Sequence, residues 1–267
     1  MTMNSITSKQ RRQYNQFTQD GARKALTIVC PDKDGLQRLF GRGDEWQNHL
    51  IAGIVQLTAL TPSCGLAKSI LGADFITPEE VTKARPSIVY TNEQIMAFAE
   101  NLPSEDVLKW CKDNGYAIMP APPTAMSTND VQKIPSDHFY LRVDERYVNE
   151  RFAHEDMTSF GCLMIKKTPV TNSTRTVWSE QNKLLSASEI VPNAAEMSWF
   201  ISTYFEIRGI KLFPGIYVRT SSLDSRGDHI LVGFSFSVAF RVSSGWDDDQ
   251  GKRVGLSTAR KHLLLSV

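Results

Sequence analysis

From His229 to Val242 the chain reads HILVGFSFSVAFRV, with Phe234, Phe236, Val238, Phe240 and Val242 at every second position. A period of two sets these side chains on one side of a pleated strand, and an apolar side must be covered. The run follows Ser225-Arg226-Gly227-Asp228, a turn sequence, and ahead of that turn Ile216 and Val218 alternate with Tyr217 and Arg219. Together these features predict an antiparallel hairpin. The cover has to come from elsewhere in the chain.

One helix is spelled out close by. Asn193 and Glu196 have the spacing of a capping box, Met197, Phe200, Ile201, Tyr204 and Phe205 fall on one helical face, and Gly209 is a stop. Phe139, Leu141 and Val143 alternate with Tyr140, Arg142 and Asp144, and Gly161–Ile165 is a second strand-like run closed by Lys166-Lys167. Earlier residues follow the other period. Trp46, Leu50, Ile54 and Leu57 recur at helical spacing; Thr77-Pro78-Glu79-Glu80 and Thr91 with Gln94 read as capping boxes. Ser104 starts another helix, which Asn114-Gly115 stops, and Tyr116–Met119 follows as a strand. Ala25–Cys30 (ALTIVC) reads as a strand, and Leu256–Leu265 as a last short helix.

The fold class expected is therefore α+β, with a mainly helical first half and an antiparallel sheet with covering helices in the second half. The partition expected is a basic, flexible arm over residues 1–25 and a mainly helical region over 26–119. Residues 120–136, opened by Pro120-Ala121-Pro122-Pro123, form a Pro-rich linker or loop, and 137–267 is an α+β region holding the hairpin.

Charge is balanced overall and uneven along the chain. Among 267 residues, 30 Lys and Arg face 29 Asp and Glu, which excludes a surface built wholly to hold a polyanion. Yet Lys9, Arg11, Arg12, Arg23 and Lys24 meet only Asp20 in the first 25 residues, with Tyr14 and Phe17 among them. Lys252, Arg253, Arg260, Lys261 and His262 crowd the other end. Such segments track phosphates, and interleaved aromatics stack on bases. The polar start MTMNSITSKQRR is no export signal, and the apolar run Leu50–Leu60 is shorter than a membrane span, so a cytoplasmic location without membrane contact is expected. Cys30, Cys64, Cys111 and Cys162 are scattered among apolar neighbours, as reduced core thiols are.

Several residues qualify for chemistry. Asp247-Asp248-Asp249 after Trp246 offers carboxylates to Mg²⁺ or Ca²⁺, although the spacing is not that of an EF-hand. His154-Glu155-Asp156, then His229, then Arg241-Val242-Ser243 resembles the H-x-D…H…R-x-S signature of iron- and 2-oxoglutarate-dependent oxygenases. That resemblance implies Fe(II) held by His154, Asp156 and His229, with Arg241 and Ser243 clamping the oxoacid. The predicted helix from Asn193 to Arg208 between those ligands does not suit the double-stranded β-helix of that family. Gly65-Leu66-Ala67-Lys68-Ser69 has the end of a phosphate loop without its paired glycines. Ser221, Ser222 and Asp224, and the Arg-Gly-Asp tripeptides at Arg42 and Arg226, read as turn and cap residues.

The stretches IVYTNEQIMAFAENLPSEDVLKWCKDNGYAIMPAPPTAMS, GIYVRTSSLDSRGDHILVG and GWDDDQGKRVGLSTARK are similar to a set of uncharacterised predicted bacterial proteins, over most residues from about Ser87 onward. The resemblance implies a bacterial or mobile-element origin and brings no activity with it. The expectation is a binding protein that contacts nucleic acid or a protein partner through its basic terminal segments. The alternative is a metal-dependent enzyme using His154, Asp156 and His229, or Asp247–Asp249.

Overall fold

The structure, a computed structural model, describes residues 8–29, 37, 41–43, 45, 62–136, 141–143, 146–234 and 240–260. The chain divides into two compact units, residues 1–57 and 58–267. In the first, α1 runs without a break from Ser8 to Val29. Residues 25–29, expected as arm and strand, are its last turns. Leu26, Ile28 and Val29 favour a strand locally, but extending a helix already formed over Ala22–Ala25 adds a hydrogen bond per residue without a new nucleus. The stripe from Trp46 to Leu57 lies outside the described residues, as does the run Leu50–Leu60.

The second unit begins with α2 (Pro62–Leu71), a single 3-10 turn, α3 (Pro78–Ala84), α4 (Asn92–Glu100) and α5 (Glu105–Asp113). Both expected capping boxes form. Thr77 Oγ1 accepts from Glu80 N while Glu80 accepts from Thr77 N, and Thr91 and Gln94 repeat the exchange. Ser104 precedes α5 without a side-chain bond to it, and Gly115 adopts the left-handed conformation (φ 72°) that stops the chain there.

Next come β1 (Tyr116–Pro120), α6 (Thr128–Gln132), β2 (Leu141–Val143), α7 (Arg151–Glu155), β3 (Cys162–Lys166), α8 (Trp178–Gln181), β4 (Glu189–Ile190) and α9 (Ala194–Arg208). The chain finishes with β5 (Tyr217–Leu223), β6 (His229–Phe234), β7 (Phe240–Gly245), β8 (Val254–Leu256) and β9 (Ala259–Arg260). The fold is α+β. One sheet has the order β1-β3-β9-β4, all antiparallel; the other has the order β2-β7-β6-β5-β8, whose outer strands β2 and β8 pair in parallel.

The apolar alternation that opened the sequence reading is shared by two strands. β6 and β7 pair antiparallel with Val232 opposite Val242 and Phe234 opposite Phe240, and residues 235–239 between them are outside the described set. The helix expected over Leu256–Leu265 is replaced, through residue 260, by β8 and β9. Here partners waiting on neighbouring segments decide the outcome: Leu256 N donates to Ser173 Oγ and Lys166 N to Thr258 O.

Strand period explains how the first sheet is covered on both faces. Ala117, Met119, Leu163, Ile165 and Ala259 join the larger core around α9, while Tyr116, Ile118, Cys162 and Met164 join a smaller core with α2, α4 and α5. Helix α9 lies between the sheets and touches both. It was expected to be apolar on one face; instead every residue from Ala194 to Tyr204 is buried. Its ends are set as the sequence foretold, by the Asn193–Glu196 capping box and by Gly209 at φ 68°.

The Pro-rich segment is a packed loop of this unit. Ala121 N donates to Gly161 O (2.8 Å), Trp199 Nε1 to Pro120 O (3.0 Å), Tyr90 OH to Ala121 O (2.9 Å) and Gln94 Nε2 to Pro123 O (2.7 Å). Ser127 then caps α6 through a box with Asp130, a signal the sequence reading passed over.

At the carboxyl end of α9, Arg208 donates to Ala73 O, Phe75 O and Glu80 Oε1, and Lys68 Nζ donates to Phe75 O and Glu80 Oε1. The supposed phosphate-loop fragment is thus the body of α2, with its lysine used in this network. Burial alone would raise the Glu80 carboxyl; the hydrogen bonds from Arg208 and Thr77 and the charges of Arg208 and Lys68 outweigh it and hold the group below the usual carboxylate range. A depressed carboxyl contributes stability above its unfolded pKa of about 4.3 and loses it as pH falls through the folded value. Glu80→Gln should cost about 1–2 kcal/mol at pH 7 in urea unfolding and make the acid-side decline shallower. Trp199→Ala, which opens a cavity and strips Pro120 O of its donor, should cost about 3–5 kcal/mol in the same assay.

Candidate nucleic-acid interface

Helix α1 carries Lys9, Arg11, Arg12, Arg23 and Lys24 against Asp20. At 100° per residue Lys9, Arg12, Arg23 and Lys24 fall within an arc of about 120°. All four are exposed. The side chain of Arg11 lies outside the described set. Gln13 and Gln16 are exposed within the same arc and add amide donors to the cationic ones. The helical phase, which gathers charges that are scattered in the sequence, was hidden by the expectation of a flexible arm.

The described carboxyl-terminal basic residues lie on different elements. Lys252 and Arg253, both exposed, occupy the turn before β8 in the second sheet. Arg260 lies in β9 of the first sheet, where its guanidinium sits 4.2 Å over the ring of Trp110. Lys261 is outside the described residues. A helix would have turned several of these side chains together; two strands in different sheets keep them apart.

The acidic loop is organised from within. Arg219 was expected to point to solvent from β5, but its side chain is fully enclosed, at 0% exposure. It donates to the carbonyls of Thr176 (3.2 Å), Trp246 (2.7 Å) and Asp249 (3.0 Å) and to Gln181 Oε1 (2.8 Å). Burial lowers its pKa, with Asp247, Asp249 and Asp248 pulling the other way. A guanidinium therefore occupies the position from which a cation would draw the loop carbonyls inward, and the three aspartates are spread around it. Asp247 Oδ1 meets His229 Nδ1 at 2.6 Å, and His229 stacks on Trp178 with ring centroids 3.8 Å apart.

The oxygenase-like set does not assemble. His154 on α7 lies beside Asn129 Nδ2, Asp156 accepts from Ser222 Oγ, and His229 is held by Asp247 and Trp178. Arg241 is exposed on β7. Among the described residues no group of three or more His, Cys, Asp or Glu side chains is placed to hold a metal ion, and this covers His154, Asp156, His229, Asp247, Asp248 and Asp249. The physical reason is the one raised by the sequence: α9 stands in the chain between the proposed ligands, and each is consumed by a local partner. The second Arg-Gly-Asp site is likewise a turn, in which Arg226 pairs with Asp224 and Asp228.

Cys64, Cys111 and Cys162 are buried thiols of the smaller core. Burial pushes the Cys111 thiol up to about 11 against the pull of Arg260, and drives Cys162 well above the thiol range. Such thiols are poor nucleophiles. No described helix is long and apolar enough to cross a membrane.

Arg219→Met should release the loop carbonyls and cost about 3 kcal/mol or more in urea unfolding, whereas Asp248→Ala, exposed and outside the cage, should change stability by less than about 0.5 kcal/mol. Equal effects from the two would refute the organising role of Arg219.

No protein-family model, curated protein or solved structure matches this chain.

Proposed function

We propose that this protein binds nucleic acid, with α1 laid along the phosphate backbone. The observation that carries the reading is the exposure of Lys9, Arg12, Arg23 and Lys24 within one arc of a 22-residue helix, four cations to the single acid, Asp20, that shares the arc. Lys9 and Lys24 are about 22 Å apart along the axis, and duplex DNA carries one charge per about 1.7 Å, so the helix faces several phosphates at once. The exposed glutamines suit phosphate and sugar oxygens, which position a protein without reading sequence. Lys252 and Arg253 supply a further basic point on the second unit. A bacterial cytoplasm suits the reading, and three buried thiols agree with a reducing compartment.

Duplex binding should weaken steeply with salt. Replacing Lys9, Arg12, Arg23 and Lys24 together by glutamine should reduce the slope of log K against log salt by about 3 to 4. Fluorescence anisotropy of a labelled 20-base-pair duplex at several salt concentrations measures it. An unchanged slope, or wild-type protein without salt-dependent binding, overturns the proposal.

A further inference from the structure

The contact between α5 and β9 has a feature that packing alone leaves unexplained. The guanidinium carbon of Arg260 sits 4.2 Å over the centroid of the Trp110 ring, and Tyr116 meets the indole at 5.0 Å with a 47° tilt. Lys166 Nζ sits 5.4 Å over the Tyr116 ring and donates to Asn114 O (2.5 Å). Two rings and two cations therefore form one cluster on the face of the first sheet that packs against α5.

The carboxylate best placed to neutralise Arg260 is Glu189, its direct partner in the β4–β9 register. That carboxylate faces inward. Tyr116 OH donates to it, as do Thr258 Oγ1 (3.0 Å) and Ser186 N (3.0 Å). Burial would raise the Glu189 carboxyl, but these hydrogen bonds outweigh it and keep the group below its usual range. Among the described residues no hydrogen bond holds the Arg260 guanidinium, which lies over the indole. Trp110 and Arg260 are both half-buried, so the assembly reaches the surface.

We infer that the Trp110–Arg260 pair is a stacking platform for an unpaired nucleobase, which makes single-stranded nucleic acid the ligand of this second site. A guanidinium seated over an aromatic ring adds a planar group to that surface, and bases splayed from a single strand stack on arginine planes as they do on aromatics. The surrounding charge selects the base over the phosphate. Asp106 and Asp113, one turn to either side of Trp110 on α5, are both exposed and acidic. They offset the positive charge that Lys166 adds to the cluster, and the uncharged ring of a base is indifferent to both. The inference rests on the reading of α1 as a phosphate-binding helix, and it assigns the two elements different tasks: charge attraction to α1, base stacking to Trp110 and Arg260.

The test measures binding of labelled oligo-dT and of a duplex of equal length across a salt series, using wild type, Arg260→Ala, Arg260→Lys and the four-glutamine α1 variant. Both Arg260 variants should lose about tenfold on oligo-dT, since lysine keeps the charge and lacks the plane. Their duplex affinity and their salt slope should stay at the wild-type values. Urea unfolding checks that each variant folds, and Arg260→Lys, which keeps the aliphatic stem of this half-buried residue, is the safer of the two. Wild-type affinity for oligo-dT in both variants overturns the platform while leaving α1 in place, provided the α1 variant still lowers the slope. Equal losses on single strand and duplex, with the slope reduced by about 1, would make Arg260 a phosphate contact and also overturn it. Arg260-dependent binding of a polyglutamate peptide, without any effect on oligo-dT, would replace the nucleic acid by an acidic protein segment. Wild type that binds neither oligonucleotide removes the α1 reading and this inference together.

Discussion

The constraint on which the second unit depends is the complete enclosure of α9 from Ala194 to Tyr204. A helix with no wet side must find a partner for every polar group it carries, because an unmade hydrogen bond in the interior costs more than a made one contributes. The structure meets most of that demand from outside the helix. Trp199 reaches Pro120 O, Ala194 N reaches Ser222 Oγ, Tyr204 OH reaches Asp74 and Arg208 ties down the 3-10 turn. These bonds recruit the Pro-rich loop, β5 and the α2–α3 connection, so segments far apart in the chain are positioned by one helix. Ser198 Oγ, Thr203 Oγ1 and the nearby Arg85 Nε lack protein partners; Arg85 lies over Trp199, and burial lowers its pKa to about 10.

The same rule operates in miniature around Arg219. A strand residue that faces inward with a charge is tolerable only if acceptors converge on it, and the turn after β7 bends so that its carbonyls do. The aspartates of that turn are consequences of the arrangement. They stabilise a buried cation at a distance, as their effect on Arg219 shows, and one of them reaches back to His229. Three consecutive acids suggested a divalent-metal loop because sequence exposes the carboxylates and conceals the guanidinium that answers them.

What the sequence made legible was local. Capping boxes at Thr77, Thr91 and Asn193 and stops at Gly115 and Gly209 depend on residues three or four apart, and all appear in the structure. Periodicity also marked β1, β3, β5 and β6. What escaped depends on long-range partners. Ala25–Val29 has strand propensity and lies in a helix, whereas Leu256–Arg260 looked helical and pairs with two sheets. The burial of Arg219 could not be read from an alternation that placed it outside, and Trp110 gave no sign that Arg260, 150 positions later, would cover it. The candidate site divides in the same way: charge on α1 was visible as composition, but its gathering on one side required the helical phase.

That division also explains why a net charge of +1 is a poor guide to what the surface can hold. In the second unit many acids are committed to internal work: Glu80 to Arg208 and Thr77, Asp74 to Lys167 and Tyr204, Asp224 to Arg226 and Glu196 to Asn193 and Ser159. They count fully in the sum while contributing little field outside. Bases on α1 are exposed along a helix with one acid, so their charge faces its surroundings. A chain can therefore be neutral by arithmetic and basic where it matters, provided its carboxylates are spent on its core and its cations are kept on a helix. Binding to a polyanion is governed by that placement, and the near equality of 30 and 29 records only how many charges the chain holds.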